Sequence, residues 1–260
     1  TRVRSSAASD VYKRQVMETE HICVLIPSYH NEKTIVGVLH RVMMYTDNVI
    51  VVLDGEPQKA CQVIADAGLK PYILSYKKNQ GKGHALKEGF KEAIRRGYEY
   101  AITLDSDGQH YPEDIPLFID AFLVNRGSFL VGVRNFGHEN MPGGNTFANK
   151  FSNFWFHLQT GHSLEDTQCG FRMYPLSMLN AGWVITSRYE SELELLVYSA
   201  WKGVKLVPIP IRVYYPPQGE RVSNFRPFQD FMRITLLNIV LTTGALCYYL
   251  PLQMIRRLCR

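Results

Sequence analysis

From His21 onward, short runs of β-branched and apolar residues alternate with stretches whose apolar positions recur at helical spacing. That is the pattern of a largely parallel sheet covered by helices. Residues 22–26 read as a first strand closed by Pro27, residues 31–45 as a helix, and residues 48–53 as a second strand ending in Asp54 and Gly55. A third strand is expected over 71–75, followed by a helix over 82–96 with Leu86, Phe90, Ala93 and Ile94 at helical spacing. Residues 100–104 form a fourth predicted strand, 112–125 a helix with proline in its first turn, and 129–133 a fifth strand. Further helices are expected over 145–160 and from Glu190 to about Trp201. No internal repeat or low-complexity tract interrupts this order.

Three of the strands end in polar groups: Ser28 and Tyr29 behind Pro27, Asp54 with Gly55, and Asp105-Ser106-Asp107. Ligands of open parallel sheets gather beyond the carboxyl ends of the strands, so these loops are expected to line one crevice. Asp105, Asp107 and Gln109 alternate directly after the fourth strand. Their hard oxygen atoms suit Mg²⁺ or Mn²⁺ holding a diphosphate. Gly81-Lys82-Gly83 opens a helix, where free N–H groups and the helix dipole favour an anion. It lacks the spacing of a Walker loop.

The 260 residues fit one α/β domain with appendages. With 46% hydrophobic and 20% charged residues and a net charge of +5, the chain has a mild preference for anionic partners and no case for nucleic acid. Five scattered cysteines, never in Cys-x-x-Cys, suggest neither a disulfide framework nor a zinc site, and point to a reducing, cytoplasmic setting. Residues 1–16 read as a non-native or disordered leader outside the fold, residues 17–227 as the catalytic domain and 228–260 as an apolar helical tail.

Five segments carry a resemblance: residues 26–32, 51–55, 79–86, 104–114 and 166–172. In this order they are similar to the motifs of the family 2 glycosyltransferases, with the GT-A fold, and most like the dolichyl-phosphate mannose synthase branch. The likeness covers roughly residues 21–225. It implies an inverting, metal-dependent transfer of a hexose from a GDP- or UDP-linked sugar to a lipid-phosphate or other envelope-linked acceptor. It implies Asp105, Asp107 and Gln109 as ligands of Mn²⁺ or Mg²⁺, with Asp107 catalytic. Pro27, Tyr29, Glu32, Asp54, Lys82, Asp105 and Ser106 fall on the donor side; Arg134, Gln168, Arg172 and Glu192 fall on the acceptor side. Asp166 is expected to act as general base for a hydroxyl acceptor, or to orient a positive group if the acceptor is already a phosphate. Arg221, in a loop with the composition of a lid, is expected to close on the diphosphate. The chain departs from the family at Leu53 and Glu56, where the pattern Asp-Asp-Gly-Ser keeps only Asp54 and Gly55, and at Asn145, where the branch has a second arginine; Lys150 lies nearby. Glu190, Glu192 and Glu194 are two apart on a helix, so at most two of them are expected to face inward.

Residues 234–255 contain no charge and are bounded by Arg233 and by Arg256 and Arg257. The run is long enough to span a bilayer. Thr235, Asn238, Thr242, Tyr249 and Gln253 nevertheless share a face, which favours a helix lying at the membrane surface, on the cytoplasmic side. Two other functions remain open at this point. One is transfer to a hydroxyl of a glycan or glycolipid. The other is a catalytically silent nucleotide-sugar-binding or scaffold protein, against which the intact carboxylate cluster argues.

Overall fold

A computed structural model describes residues 2–134, 143–179, 185–215 and 227–258; for 2–10, 143–147, 227–228 and 256–258 it describes the backbone alone. One seven-stranded sheet runs through the molecule in the order β3-β2-β1-β4-β6-β5-β7. Its strands are β1 (Ile22–Ser28), β2 (Val49–Asp54), β3 (Tyr72–Tyr76), β4 (Tyr100–Thr103), β5 (Phe129–Arg134), β6 (Arg172–Pro175) and β7 (Leu206–Ile211). Neighbours are parallel except around β6, which runs against both β4 and β5.

Strand side chains alternate between the two faces, and both faces are covered. Val24, Ile26, Val49 and Val51 enter one core with α1 (Arg2–Thr19), α2 (Ile35–Val42), α3 (Pro57–Asp66) and α5 (Ile115–Val124). Cys23, Leu25, Ile50 and Val52 enter the other, with α4 (Lys82–Arg95), α6 (Gly143–Thr160), α7 (Glu190–Trp201) and α8 (Pro227–Gly244). Phe118, Phe122, Phe129, Phe156 and Phe171 are fully enclosed. Each such side chain contributes roughly 1.5–3 kcal/mol of transfer free energy.

The expected leader is helical rather than disordered. Val16 and Met17 are buried in the first core, and Lys13 pairs with Asp120 of α5. Two apolar anchors and two ion pairs, the second between Arg14 and Asp47, dock a helix whose sequence has little amphipathic period of its own. The expected helix over 31–45 shortens to Ile35–Val42, because residues 31–34 form a turn in which the Thr34 and Ile35 amides donate to the Asn31 carbonyl. Residues 112–114 form a 3₁₀ turn ahead of α5. Helix α3 and strands β6 and β7 had no counterpart in the sequence reading. Strand β7 carries Pro208 and Pro210, which demote a run read from sequence; both are exposed on the sheet's edge, where a missing N–H costs least.

Helix α8 continues through a π-helical turn, Ala245–Tyr249, into α9 (Leu250–Leu258). Pro251 has no N–H to offer the carbonyl of Cys247, and the widened turn accommodates that gap. The polar side of α8 faces inward. Gln159 of α6 donates through Nε2 to Asn238 Oδ1 at 3.0 Å and to Thr242 Oγ1 at 3.2 Å, and Trp201 stacks on Tyr249 with centroids 5.5 Å apart. Leu236, Ile239, Val240, Leu246 and Met254 point away from the protein and are each more than half exposed.

Candidate active site

The carboxyl ends of β1, β2 and β4 lie side by side, and the antiparallel β6 brings the preceding loop, residues 161–171, to the same edge of the sheet. The centre of the crevice is an ion-pair triad. Lys82, the first residue of α4, places Nζ 2.7 Å from Asp105 Oδ1 and 3.0 Å from Glu192 Oε2. Burial opposes the lysine's charge, and the two carboxylates outweigh it, raising its pKa. Gly170 packs its backbone against this triad. A methyl group there would lie 2.8 Å from Asp105 Oδ2 and 2.9 Å from Lys82 Nζ, so a side chain would displace members of the triad.

Asp107 accepts a bond from the Gln109 amide at 2.9 Å, which folds the stretch back on itself. Burial first, and then the charge of Asp105, push its carboxyl up to about 6; Asp105 is itself held low because, against burial, Lys82 favours its charged form. Among the described residues nothing hydrogen-bonds the Gln109 carboxamide, and no group of three or more His, Cys, Asp or Glu side chains forms a metal cage. The available donors are therefore two carboxylates and one carboxamide. Two crowded carboxylates, one of them resisting ionisation, fit a hard dication that leaves its remaining positions to phosphate oxygens and water. His110 stands next in line, its ring buried and pushed down to about 4 by desolvation.

Several residues expected to touch the donor instead hold the crevice together. Asp54 is buried, and its carboxylate accepts from the amides of Gln80 and Gly81 at 2.7 Å each and from Asn79 Nδ2 at 3.0 Å. The anion at the start of α4 is thus the protein's own, and the His84 amide is likewise taken by the Ser187 carbonyl at 2.8 Å. Ser106 is also buried: its hydroxyl donates to the Pro27 carbonyl at 3.0 Å and accepts from Asn31 Nδ2 at 2.8 Å, tying β4's end to β1's. Tyr29 and Glu32 lie half-buried at the rim, with Tyr29 tilted on His30 and Glu32 3.8 Å from the His30 ring nitrogen.

On the acceptor side, Asp166 is completely buried and both of its oxygens are taken. Arg134 approaches it bidentately, Nε to Oδ2 at 2.6 Å and Nη2 to Oδ1 at 2.9 Å, and the amides of Arg134 and Gln168 add two more bonds. Of the two roles open to Asp166, the general base has no free oxygen here; the carboxylate orients a guanidinium. Arg172 does not face an acceptor. It is fully enclosed and donates to the carbonyls of Cys169, Glu192 and Thr167 at 2.6–2.8 Å, which fixes the loop before β6 to α7. Glu190, Glu192 and Glu194 are all buried, because α7 is enclosed nearly all round and spacing alone cannot sort its faces. Glu194 holds the amides of Ile185 and Thr186 at 2.9 Å each. A cavity of about 310 Å³ lies between these parts, lined by Arg134, Ser152, Thr167, Gln168, Tyr189, Glu190, Glu192, Leu193 and Ile234. Lys150 is exposed, while Arg221 and the Asn145 side chain fall outside the described residues.

Comparison with known proteins places this geometry. The profile of glycosyl transferase family 2 matches residues 23–183, more than half of the chain. The chain belongs to that family and is a glycosyltransferase. Among curated proteins it is 27% identical to a UDP-N-acetylglucosamine--dolichyl-phosphate N-acetylglucosaminyltransferase of Methanococcus voltae, over 86% of this chain and 98% of the relative. It is 26% identical to a polyprenol monophosphomannose synthase of Mycolicibacterium smegmatis, over 75% of this chain and 78% of the relative. Among solved structures it is similar to glucosyl-3-phosphoglycerate synthase of Mycobacterium tuberculosis in complex with Mn²⁺, UDP and glucosyl-3-phosphoglycerate, with a TM-score of 0.65 at 16% identity, covering 91% of this chain and 83% of that one. That likeness shows the fold, the mostly parallel GT-A sheet flanked by helices.

Two outcomes follow from the geometry. In metal-free protein the folded state keeps a proton on Asp107 between the ordinary aspartate range and pH 6 that the unfolded chain has released, so stability falls as pH rises through that window. Urea midpoints measured with chelator at pH 4 and pH 6.5 should show the fall, and Asp107→Asn should remove it. Gly170→Ala should cut activity by about 100-fold or more, since one displaced group in a preorganised site costs on that order; a near-wild-type kcat would show that the triad yields without loss.

Proposed function

We propose that this glycosyltransferase is metal-dependent and moves a hexose from a nucleoside-diphosphate sugar to a polyprenyl phosphate at a membrane surface. The observation that carries the acceptor half is the closed Arg134–Asp166 pair. A hydroxyl acceptor needs a base to take its proton, and Asp166 offers none; a phosphate is already a nucleophile and needs a cation to hold it, which Arg134 supplies. The names of the Methanococcus and Mycolicibacterium relatives carry dolichyl phosphate and polyprenol, in keeping with that reading.

On the donor side Asp105, Asp107 and Gln109 would hold Mn²⁺ or Mg²⁺, which when bound supplies positive charge to the departing diphosphate. Lys82 adds a fixed cation beside it and keeps Asp105 in place. Asp54 and Ser106 serve this site indirectly, by holding the start of α4 and the end of β4. The acceptor phosphate, oriented by Arg134, attacks the anomeric carbon in line with the leaving group, and a single displacement inverts that carbon.

Residues 229–255 support the membrane half. They form one helical stretch long and apolar enough to cross a membrane, with a mean hydropathy of 1.5 and 28% of it buried. Asn238 and Thr242 turn toward the protein together with the buried Leu237 and Leu241, while Leu236, Ile239, Val240 and Leu246 turn away, and Ile234 on the same helix lines the acceptor cavity. A soluble surface helix does not expose so many large apolar residues together. The arrangement suits a helix lying in the interface, on the cytoplasmic face where the donor is available, with the exposed Arg233 near anionic headgroups.

Asp107→Ala should abolish Mn²⁺-dependent binding of UDP- and GDP-sugars while leaving the melting temperature in chelator unchanged or higher; unchanged donor affinity by titration calorimetry refutes the metal assignment. The full chain should sediment with vesicles containing anionic phospholipid. A variant carrying Leu236→Gln, Ile239→Gln, Val240→Lys and Leu246→Gln, all on the outward face, should stay in the supernatant with its fold intact, and co-sedimentation of that variant would count against the surface.

A further inference from the structure

Within the acceptor-side cavity one group has no task in the reading given so far. Glu190 is 6% exposed, lines the cavity, and its Oε2 has no hydrogen-bond partner among the described residues. Leaving a buried acceptor unpaired is costly, and more so for a charged group. Its place in the first turn of α7 offsets part of that through the helix dipole, without supplying a partner for the oxygen.

We infer that the Glu190 carboxylate reads the sugar being transferred, its Oε2 accepting a hydrogen bond from a hydroxyl or amide N–H of the hexose. The inference rests on the donor reading above. The cavity carrying Glu190 also carries Glu192, whose Oε2 is paired with Lys82 and through it with Asp105. Its inner end is therefore next to the triad at which a diphosphate would be held, and a sugar linked to that diphosphate enters here.

The lining chemistry selects the occupant. The cation of the cavity, Arg134, is already paired with Asp166, so Glu190 and Glu192 leave the wall rich in acceptors. A phosphate against Glu190 would meet like charge. A neutral polyol presents O–H donors to such a wall and lays its C–H face on apolar groups, here Leu193 and Ile234. The sugar then occupies the Glu190 side.

The test uses the full chain with Mn²⁺ and titration calorimetry against UDP-glucose, UDP-N-acetylglucosamine and GDP-mannose, with UDP and GDP alone as references. For the tightest nucleotide sugar, Glu190→Ala should lose about tenfold or more in affinity, the worth of one hydrogen bond to a charged group. Affinity for the matching nucleoside diphosphate should not move, which also shows that the variant is folded. Glu190→Gln, whose amide oxygen still accepts, should retain most of the wild-type affinity. A sugar-to-nucleotide affinity ratio unchanged in Glu190→Ala overturns the inference. So does a Glu190→Gln variant that binds nucleotide sugar normally but loses kcat with undecaprenyl phosphate as acceptor, because that is the behaviour of a base. If the wild type binds neither nucleotides nor nucleotide sugars, the donor reading itself falls and takes this inference with it.

Discussion

One lysine joins the parts of the crevice. Lys82 begins α4, Asp105 follows β4 and Glu192 lies in the first turn of α7, and the three meet only through the ammonium group. A charge taken out of water is tolerated when paired and is costly when alone, so each member requires the other two. Everything near the triad is arranged to keep that meeting point. Asp54 captures the loop ahead of α4, Gly170 yields its side-chain space, and Thr103 donates to the Gly170 carbonyl at 2.7 Å so that the loop before β6 stays against the end of β4.

The same logic governs the acceptor side, where a second buried pair is used differently. Arg134 and Asp166 satisfy each other so fully that the carboxylate has no capacity left, and Arg134 lines the cavity. Bidentate geometry fixes the plane of the guanidinium as well as its position. The site thus assigns its carboxylates to distinct tasks by environment. Asp105 is charge-paired, Asp107 is crowded and hard to ionise, Asp54 and Asp166 are saturated by N–H donors, and Glu190 keeps an open oxygen.

Sequence showed which strand ends carry the chemistry, and less well what each side chain does there. The alternation of β1, β2 and β4 with helices was legible because both faces of the sheet are covered, making continuous apolar runs. Strand β6 was not, since four residues beginning with Arg172 and ending in Pro175 resemble no strand, and the partners that make it one are 70 and 40 residues away in the chain. The motif positions around Asp54, Lys82, Asp105 and Asp166 all reach the crevice. Their roles were harder to read, because a carboxylate that binds a ligand and one that binds backbone amides look alike in sequence and differ only in which N–H groups the fold brings within 3 Å. Glu190 shows the converse: a helical-spacing argument fails on α7 because that helix has almost no exposed face.

The tail shows where polarity overrides length as a guide. A helix of 27 residues with this hydropathy could be a bilayer span, a core helix or a surface helix, and composition does not separate them. Burial does. A core helix would hide all its leucines; here Leu237 and Leu241 are buried, yet Leu236 is 63% and Leu246 58% exposed. A free span would have no polar contacts to the globular body, yet Gln159 reaches both Asn238 and Thr242, and Trp201 stacks on Tyr249. The polar contacts and the buried Leu237 and Leu241 fasten the helix along the protein and leave Leu236, Ile239, Val240 and Leu246 outward, next to the cavity that Ile234 and Arg134 both line. On the proposed function, an acceptor with a phosphate at one end and a long hydrocarbon at the other would match that pairing of cavity and surface, its head toward the arginine and its tail in lipid.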